Sequence, residues 1–341
     1  MERVAHISLH GDPLEPLGSI EAGGQNVYVR NVAAEMARRG IKADVYTRWN
    51  SPSKNRIEEI VPGARTIRLQ GGPRSFVRKE KLDALLPEML NDFYDFTRRN
   101  GLRYDVIHTH YYVEGAFGME ACRTLRVPQV HTFHSLGRVK YHHESLQGNP
   151  DRAAYEKRFE IEKRLMTVCD RLVATSPHEA RDFRDWYGHD NRNTVVVPCG
   201  LDPTLFRAEE PSRARARLGL PQDRTIILYV GRFDPRKGLE TLLFAYRKLL
   251  FDLGADSERV LLVVVGGSRD ADAADLETRH FRALAASLQL DELNPRHPRG
   301  GHILFAGAQP QDRVALYYAA ADFTVMPSCY EPFGMVAIES Q

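Results

Sequence analysis

An α/β protein built from two doubly wound parallel sheets is the fold class this sequence predicts, on three observations. Short β-branched runs alternate with amphipathic helical patterns almost from end to end, the signature of βαβ units. At 341 residues the chain is too long for one ordinary core and comfortable for two. The alternation breaks once, at "CGLDPTLFRAEEPSR", where prolines and acidic residues read as a linker.

The first strand is "RVAHISL". The helix "GQNVYVRNVAAEMARRG" follows, with Val27, Val32, Ala33 and Met36 at helical spacing and Gly40 where a C-terminal cap belongs. Next come "ADVYT", a basic segment, a helix around Leu82–Arg99, the strand "DVIHTH", a helix around Glu114–Leu125 and the strand "PQVHTF". A charged helix from Asp151 to Val168, then "RLVATS" and "TVVVP", finish the first half. Beyond the linker the alternation runs "TIILYVG", a helix from Gly238, "VLLVVVGG", a helix near Ala274–Leu288, "HILFAG", a helix from Pro310, "DFTVMPS" and a terminal helix. Doubly wound halves usually carry about five or six strands, so the second domain reads as unfinished. The expected domains are 1–198 and 219–341, joined by 199–218.

Lys and Arg number 47 against 45 Asp and Glu, a net of +2, so bulk charge gives no reason to expect nucleic acid or an anionic membrane as partner. Any phosphate must be met by local clusters. The opening "MERVAHISLHGDP" reads as a strand and not as a signal peptide, and runs such as "VLLVVVGG" are too short to span a bilayer. Cys122, Cys169, Cys199 and Cys329 form no C-x-x-C pair and read as reduced thiols, which predicts a cytoplasmic protein.

Three stretches carry chemistry. "EAGGQNVYV" sets Gly23 and Gly24 ahead of a helix, where backbone N–H groups can approach an anion; a flexible turn is the alternative. Neither G-x-G-x-x-G nor a P-loop is present. "VGRFDPRKGLETL" sends Arg232 and Lys237 from the carboxyl end of a strand, placed to clamp a diphosphate or merely to be solvated. In "EPFGMVAIESQ", a helix beginning at Phe333 would leave backbone donors free at 333–335, with Glu331 just before it. Glu339 would lie about 80° of rotation from Glu331 on a regular helix. An acid at a helix start also serves simply to complement the dipole.

The histidines His108/His110, His131/His134 and His142/His143 match no metal motif, and no metal is expected. His134 stands out because it ends a strand. Lys79, Lys140 and Arg158, taken singly, read as surface cations. No Ser/His/Asp order or G-x-S-x-G is seen.

Together, "GGQNVYV", "HTFHSLG", "VVPCGLDPTLF", "GRFDPRKGL" and "EPFGMVAIE" (an E-x7-E) resemble family four of the retaining GT-B glycosyltransferases, in order, over residues 3–341. The resemblance implies two Rossmann-like domains facing a cleft that closes on substrate, the second truncated here. It implies transfer of a hexosyl group from a nucleotide sugar, UDP-glucose by expectation, with no cofactor. By the same resemblance Gly23, Gly24, Arg232 and Lys237 would hold the diphosphate. Glu331 would bind sugar hydroxyls with the backbone of Phe333, Gly334 and Met335, Glu339 would take the ribose, and His134 would touch the donor sugar. The catalytic set would be His134, Arg232, Lys237 and Glu331.

Within the family, "EAGGQNVYV" and "HSLG" look most like sucrose-phosphate synthases, and next like the enzyme that glucosaminylates inositol phosphate in mycothiol synthesis. That implies an acceptor-phosphate pocket of Lys79, Tyr111, Lys140 and Arg158, with Gln25 and Asn26 nearby. Gln25, where the mycothiol enzyme usually has Met, points to fructose 6-phosphate as acceptor and sucrose 6-phosphate as product. The missing remainder of the second domain implies a fragment of low or no activity. A non-catalytic nucleotide-sugar-binding protein is the competing class; an NAD-type oxidoreductase is the third, weakened by the absent G-x-G-x-x-G.

Overall fold

The computed structural model describes residues 1–16, 23–146, 148, 150–267, 271–293, 300–331 and 333–341, with the backbone alone at 271–275. The chain divides into two compact units, one of Met1–Glu15 and the described chain from Gly23 to Cys199, the other of Pro16 and Gly200–Gln341.

In the first unit the order is β1 (Arg3–Ile7), α1 (Gly24–Arg38), β2 (Lys42–Arg48), β3 (Ile57–Val61), β4 (Ala64–Leu69), α2 (Leu86–Arg99), β5 (Val106–His110), α3 (Tyr112–Leu125), β6 (Gln129–Thr132), α4 (Gly137–Ser145), α5 (Arg152–Val168), β7 (Arg171–Ala174), α6 (Pro177–Tyr187) and β8 (Thr194–Val196). These strands form one eight-stranded sheet, β3-β4-β2-β1-β5-β6-β7-β8. Every pairing is parallel except β3 with β4. A parallel sheet must be covered on both faces, and it is. Val29 and Ala33 of α1 pack with Ala43, Val45 and Ala64 on one side. Met89, Phe93 and Phe117 pack with Ile7, Ile67 and Ile107 on the other.

The second unit runs α7 (Pro211–Leu218), β9 (Thr225–Gly231), α8 (Leu239–Leu253), β10 (Val260–Gly266), α9 (Ala271–Ser287), β11 (Ile303–Gly307), α10 (Gln311–Ala320), β12 (Phe323–Thr324) and α11 (Met335–Glu339). Its four described strands order as β11-β10-β9-β12, all parallel. Leu261 to Val265 are all buried, as the unbroken apolar run of a central strand requires. Among the described residues no helix is long and apolar enough to cross a membrane.

Several elements differ from expectation. The segment read only as basic holds the β3–β4 hairpin. Its charges are internal: Arg65 Nε meets Asp44 at 2.6 Å and Arg68 Nη2 meets Asp12 at 2.9 Å. The helix expected from Leu82 is a 3-10 turn over Lys79–Leu85, and α2 begins only at Leu86, because Pro87 fits a first helical turn but not an interior. Helices α4 and α6 were not anticipated; Ser176 caps α6 by accepting from Glu179 N at 3.1 Å. The expected linker contains α7. Its Ala214 and Arg215 are buried, and Arg215 donates to the Ala320 carbonyl and to Asp322 at 2.9 and 2.8 Å, so α7 belongs to the second core.

In each unit the winding reverses at one strand. β1 lies between β2 and β5, and β9 between β10 and β12. Ligands of open α/β sheets bind beyond the carboxyl ends at such switch points.

Candidate active site

Each unit carries a cluster of polar side chains at its own switch point. In the second unit, "GRFDPRKGL" leaves β9 and turns at once. Asp234 caps a short 3-10 turn and takes Arg236 through Nε at 3.0 Å and Nη2 at 2.5 Å. Burial raises the Asp234 pKa, but the Arg236 guanidinium more than offsets this and holds the carboxyl down at about 2. Arg236 is thereby spent inside its own turn. Arg232 is exposed. Lys237 Nζ bonds Glu331 Oε1, which also accepts from Ser328 Oγ at 2.8 Å.

The two motifs touch along their backbones as well. Cys329 N donates to the Arg236 carbonyl at 3.0 Å. Gly238 has φ +69°, and a Cβ there would lie 2.2 Å from the Pro327 carbonyl oxygen, so only glycine fits. The loops after β9 and β12 are thus one built object, with a cation and a carboxylate at its centre.

The C-terminal stretch corrects one expectation. Helix α11 starts at Met335, not Phe333, and Gly334 caps it in the left-handed region at φ +83°. Glu331 therefore lies off the helix, and the 80° relation to Glu339 does not hold. Glu339 accepts instead from the Tyr318 hydroxyl at 2.9 Å. Burial raises its pKa, and the Tyr318 bond opposes that.

In the first unit the glycine turn is a cap. Gly23 N donates to Asn26 Oδ1 at 3.1 Å, and Asn26 Nδ2 donates to the Asp12 carbonyl at 2.8 Å. Asn26 is buried, and its amide anchors the turn through these two bonds. Asp12 is held in turn by Arg68 and by Lys54, the latter at 3.0 Å. Gly24 remains exposed. Gln25 Nε2 reaches Ser8 Oγ at 3.3 Å and the His110 carbonyl at 3.4 Å.

Four of the expected acceptor residues have described contacts with one another or with neighbouring side chains. Arg158 Nη1 donates to the Tyr111 hydroxyl at 3.1 Å, with the guanidinium 4.8 Å from the ring centroid. Lys79 Nζ lies 5.9 Å from that same ring. Lys140 Nζ lies 3.5 Å from Glu144 and 5.6 Å from the Tyr155 ring. Arg158 is not the surface cation that its sequence context suggests. It is buried, and Nε bonds Glu162 at 2.7 Å while Nη2 bonds the Ser135 carbonyl and hydroxyl at 2.6 and 3.1 Å. Tyr111 and His134 are non-glycine residues at φ +81° and +58°. Such backbone costs of order 1–3 kcal/mol and gathers at functional sites.

Three residues escaped the sequence reading. Ser135 joins Arg158. His10 Nδ1 and backbone N meet the buried Glu114 Oε1 at 2.6 and 3.1 Å, with the His10 ring 4.9 Å from Tyr111. The signal for His10 was its place at the carboxyl end of the first strand. Glu114, in the first turn of α3, carried none.

Residues 22–205 match the model described as Glycosyltransferase Family 4, and residues 212–341 the model described as Glycosyl transferases group 1. D-inositol 3-phosphate glycosyltransferase of Corynebacterium efficiens is 34% identical over 99% of this chain and 77% of its own. That of Geodermatophilus obscurus is 36% identical, over 99% and 72%. The solved sucrose-phosphate synthase of Thermosynechococcus elongatus superposes with a TM-score of 0.85 at 36% identity, over 100% of this chain and 79% of that one. Anabaena HepE, solved with UDP and glucose, shares the fold at TM-score 0.68 and 16% identity over 100% and 78%.

Proposed function

Starting from a chain that belongs to glycosyltransferase family 4, with the two-domain α/β architecture of the GT-B enzymes, we propose that it transfers a hexosyl group, with retention, from UDP-glucose to fructose 6-phosphate. The observation that carries the donor half is Lys237 paired with Glu331 where β9 and β12 end. A lysine there neutralises the departing diphosphate, and a carboxylate beside it accepts hydrogen bonds from sugar hydroxyls. Arg232, exposed on the same turn, adds a second cation.

The anomeric carbon loses its bond to the diphosphate oxygen and gains one to the acceptor oxygen on the same face. The acceptor proton passes to the departing phosphate oxygen, so no protein nucleophile is consumed. Cations help because negative charge grows on the leaving group in the transition state. The exposed Gly24 and the strained His134 serve the same step, one through its backbone N–H and one through its ring.

A phosphorylated acceptor is supported by Lys79, Tyr111, Ser135 and Arg158 standing together in the first unit. Gln25 and the likeness to sucrose-phosphate synthase favour fructose 6-phosphate. The relatives named as inositol phosphate glycosyltransferases favour D-inositol 3-phosphate as a second reading. Incubation with UDP-glucose or UDP-N-acetylglucosamine and each acceptor, followed by mass detection, decides. Sucrose phosphate formed only from UDP-glucose and fructose 6-phosphate supports the first reading, and a glycosylated inositol phosphate the second. UDP bound without turnover by any pair would make this a binding protein.

A further inference from the structure

A line of close contacts runs through the first unit to His134, and its other members serve none of the roles above. Met36 Sδ lies 3.4 Å from His6 Nε2, His6 Nδ1 lies 3.1 Å from His110 Nε2, and His110 Nδ1 lies 3.1 Å from His134 Nε2. The line crosses from helix α1 through strands β1 and β5 to His134, two residues beyond β6. Strand alternation builds it: His108 and His110 point to one face of β5, where β1 sets His6 beside His108 in register.

The direction of these bonds is determined by one atom. Burial lowers His6 to about 4 and His134 to about 3, and holds His110 well below its usual value, so each ring is neutral and carries one proton near pH 7. A thioether sulfur has lone pairs and no proton, so it only accepts. His6 must therefore keep its proton on Nε2, which leaves Nδ1 bare. His110 must then donate from Nε2 and be bare at Nδ1. His134, facing that bare nitrogen, must donate from Nε2 in turn. Its own Nδ1 has no partner among the described residues and is left as an acceptor.

We propose that Met36, His6 and His110 are positioning residues that lock His134 as the Nε2–H tautomer, so that its bare Nδ1 accepts a hydrogen bond from a hydroxyl of the transferred sugar. This rests on the glycosyl-transfer reading; the tautomer itself does not. The left-handed backbone at His134, φ +58°, is the mark of a residue held in place against a local cost.

The same rings invite a metal, since ligand atoms of His6, His108 and His110 lie within 4.8 Å of one another. Charge argues against it. Among the described residues the main influences on His6, His108 and His110 are burial and other histidines, not carboxylates. A divalent ion there would bring two uncompensated charges into the core. A shared proton between His6 and His110 satisfies the same nitrogens at no charge.

Long-range 15N–1H correlation spectra of the histidine-labelled chain at pH 7.5 test the lock directly. The expected spectrum shows His6, His110 and His134 each with a protonated Nε2 and a bare Nδ1. Met36→Leu, nearly isosteric, removes the acceptor that orients the line. It should let His134 populate both tautomers and lower kcat/KM about two- to tenfold with little change in Tm. A protonated Nδ1 on His134 in the parent, an unchanged spectrum in Met36→Leu, or stoichiometric zinc by mass spectrometry would each overturn the lock. If the spectrum is as expected but no sugar pair turns over, the transfer reading fails and the lock stands.

Discussion

Lys237 and Glu331, 94 residues apart in sequence, form one ion pair at the mouth of the second sheet, with side chains about a quarter and a sixth exposed. Each is the other's partner while no ligand is bound. An entering diphosphate would compete with Glu331 for the lysine and release the carboxylate to sugar hydroxyls. The two substitutions should then act oppositely on nucleotide binding. Calorimetric titration with UDP should show Lys237→Ala about tenfold or more weaker. Glu331→Gln should bind as tightly or about two- to fivefold tighter, while transfer falls steeply. Equal weakening by both would mark the pair as scaffold.

Gly238 supplies a second prediction on the same turn. Its φ of +69° and the 2.2 Å approach of a hypothetical Cβ to the Pro327 carbonyl leave Ala no room. The clash is with backbone, so neighbours cannot yield by a rotamer change. Gly238→Ala should lower Tm by several degrees and uncouple the Cys329–Arg236 bond, loosening UDP binding with it. Calorimetric melting beside a UDP titration reads both; an unshifted Tm would mean that the turn adapts.

The acceptor cluster separates ligand from scaffold. Arg158 makes four hydrogen bonds to three residues and is buried against Glu162, whose two oxygens also share the Gly137 N–H at 3.0 and 2.9 Å. Removing it strands a buried carboxylate, a loss of about 3–5 kcal/mol. Arg158→Ala should therefore destabilise the first unit, seen as a clear drop in Tm. Lys79→Ala should raise the KM for the phosphorylated acceptor about tenfold with Tm unchanged. Were Arg158→Ala as stable as the parent, the guanidinium would be a ligand more than a strut.

How much of this was legible in the sequence follows from what kind of signal each residue carries. The strands of the second unit were plain, since "VLLVVVGG" is apolar without interruption. The pairing of Lys237 with Glu331 was not, because each motif read alone assigns its residue to a different ligand group. The hairpin of β3 and β4 was hidden by Arg65 and Arg68, charges that look like surface until Asp44 and Asp12 are seen opposite them. Arg158 misled in the same way. Linear patterning reports whether a side chain prefers water, and not whether a distant carboxylate has replaced it. Asn26 shows the limit from the other side: a polar residue beside a glycine turn gives no sign in the sequence that its amide also closes the cap.

Glu179 gives a prediction on pH. Burial raises its carboxyl to about 7, partly offset by bonds from Thr175 N and Oγ1 at 2.5 and 2.7 Å, and its Oε1 has no partner among the described residues. The folded state thus binds this proton more tightly than the unfolded chain, where the ordinary value is 4.5. Its favourable contribution is complete below about 4.5 and is lost as pH rises through about 7. Glu179→Gln keeps an acceptor for Thr175 and never ionises. Its Tm should match the parent near pH 5 and exceed it by roughly 2–4 °C at pH 8. A gap that stays constant from pH 5 to pH 8 would show that Glu179 does not titrate in that range, because only a group changing its charge in one state and not the other can bend the difference with pH.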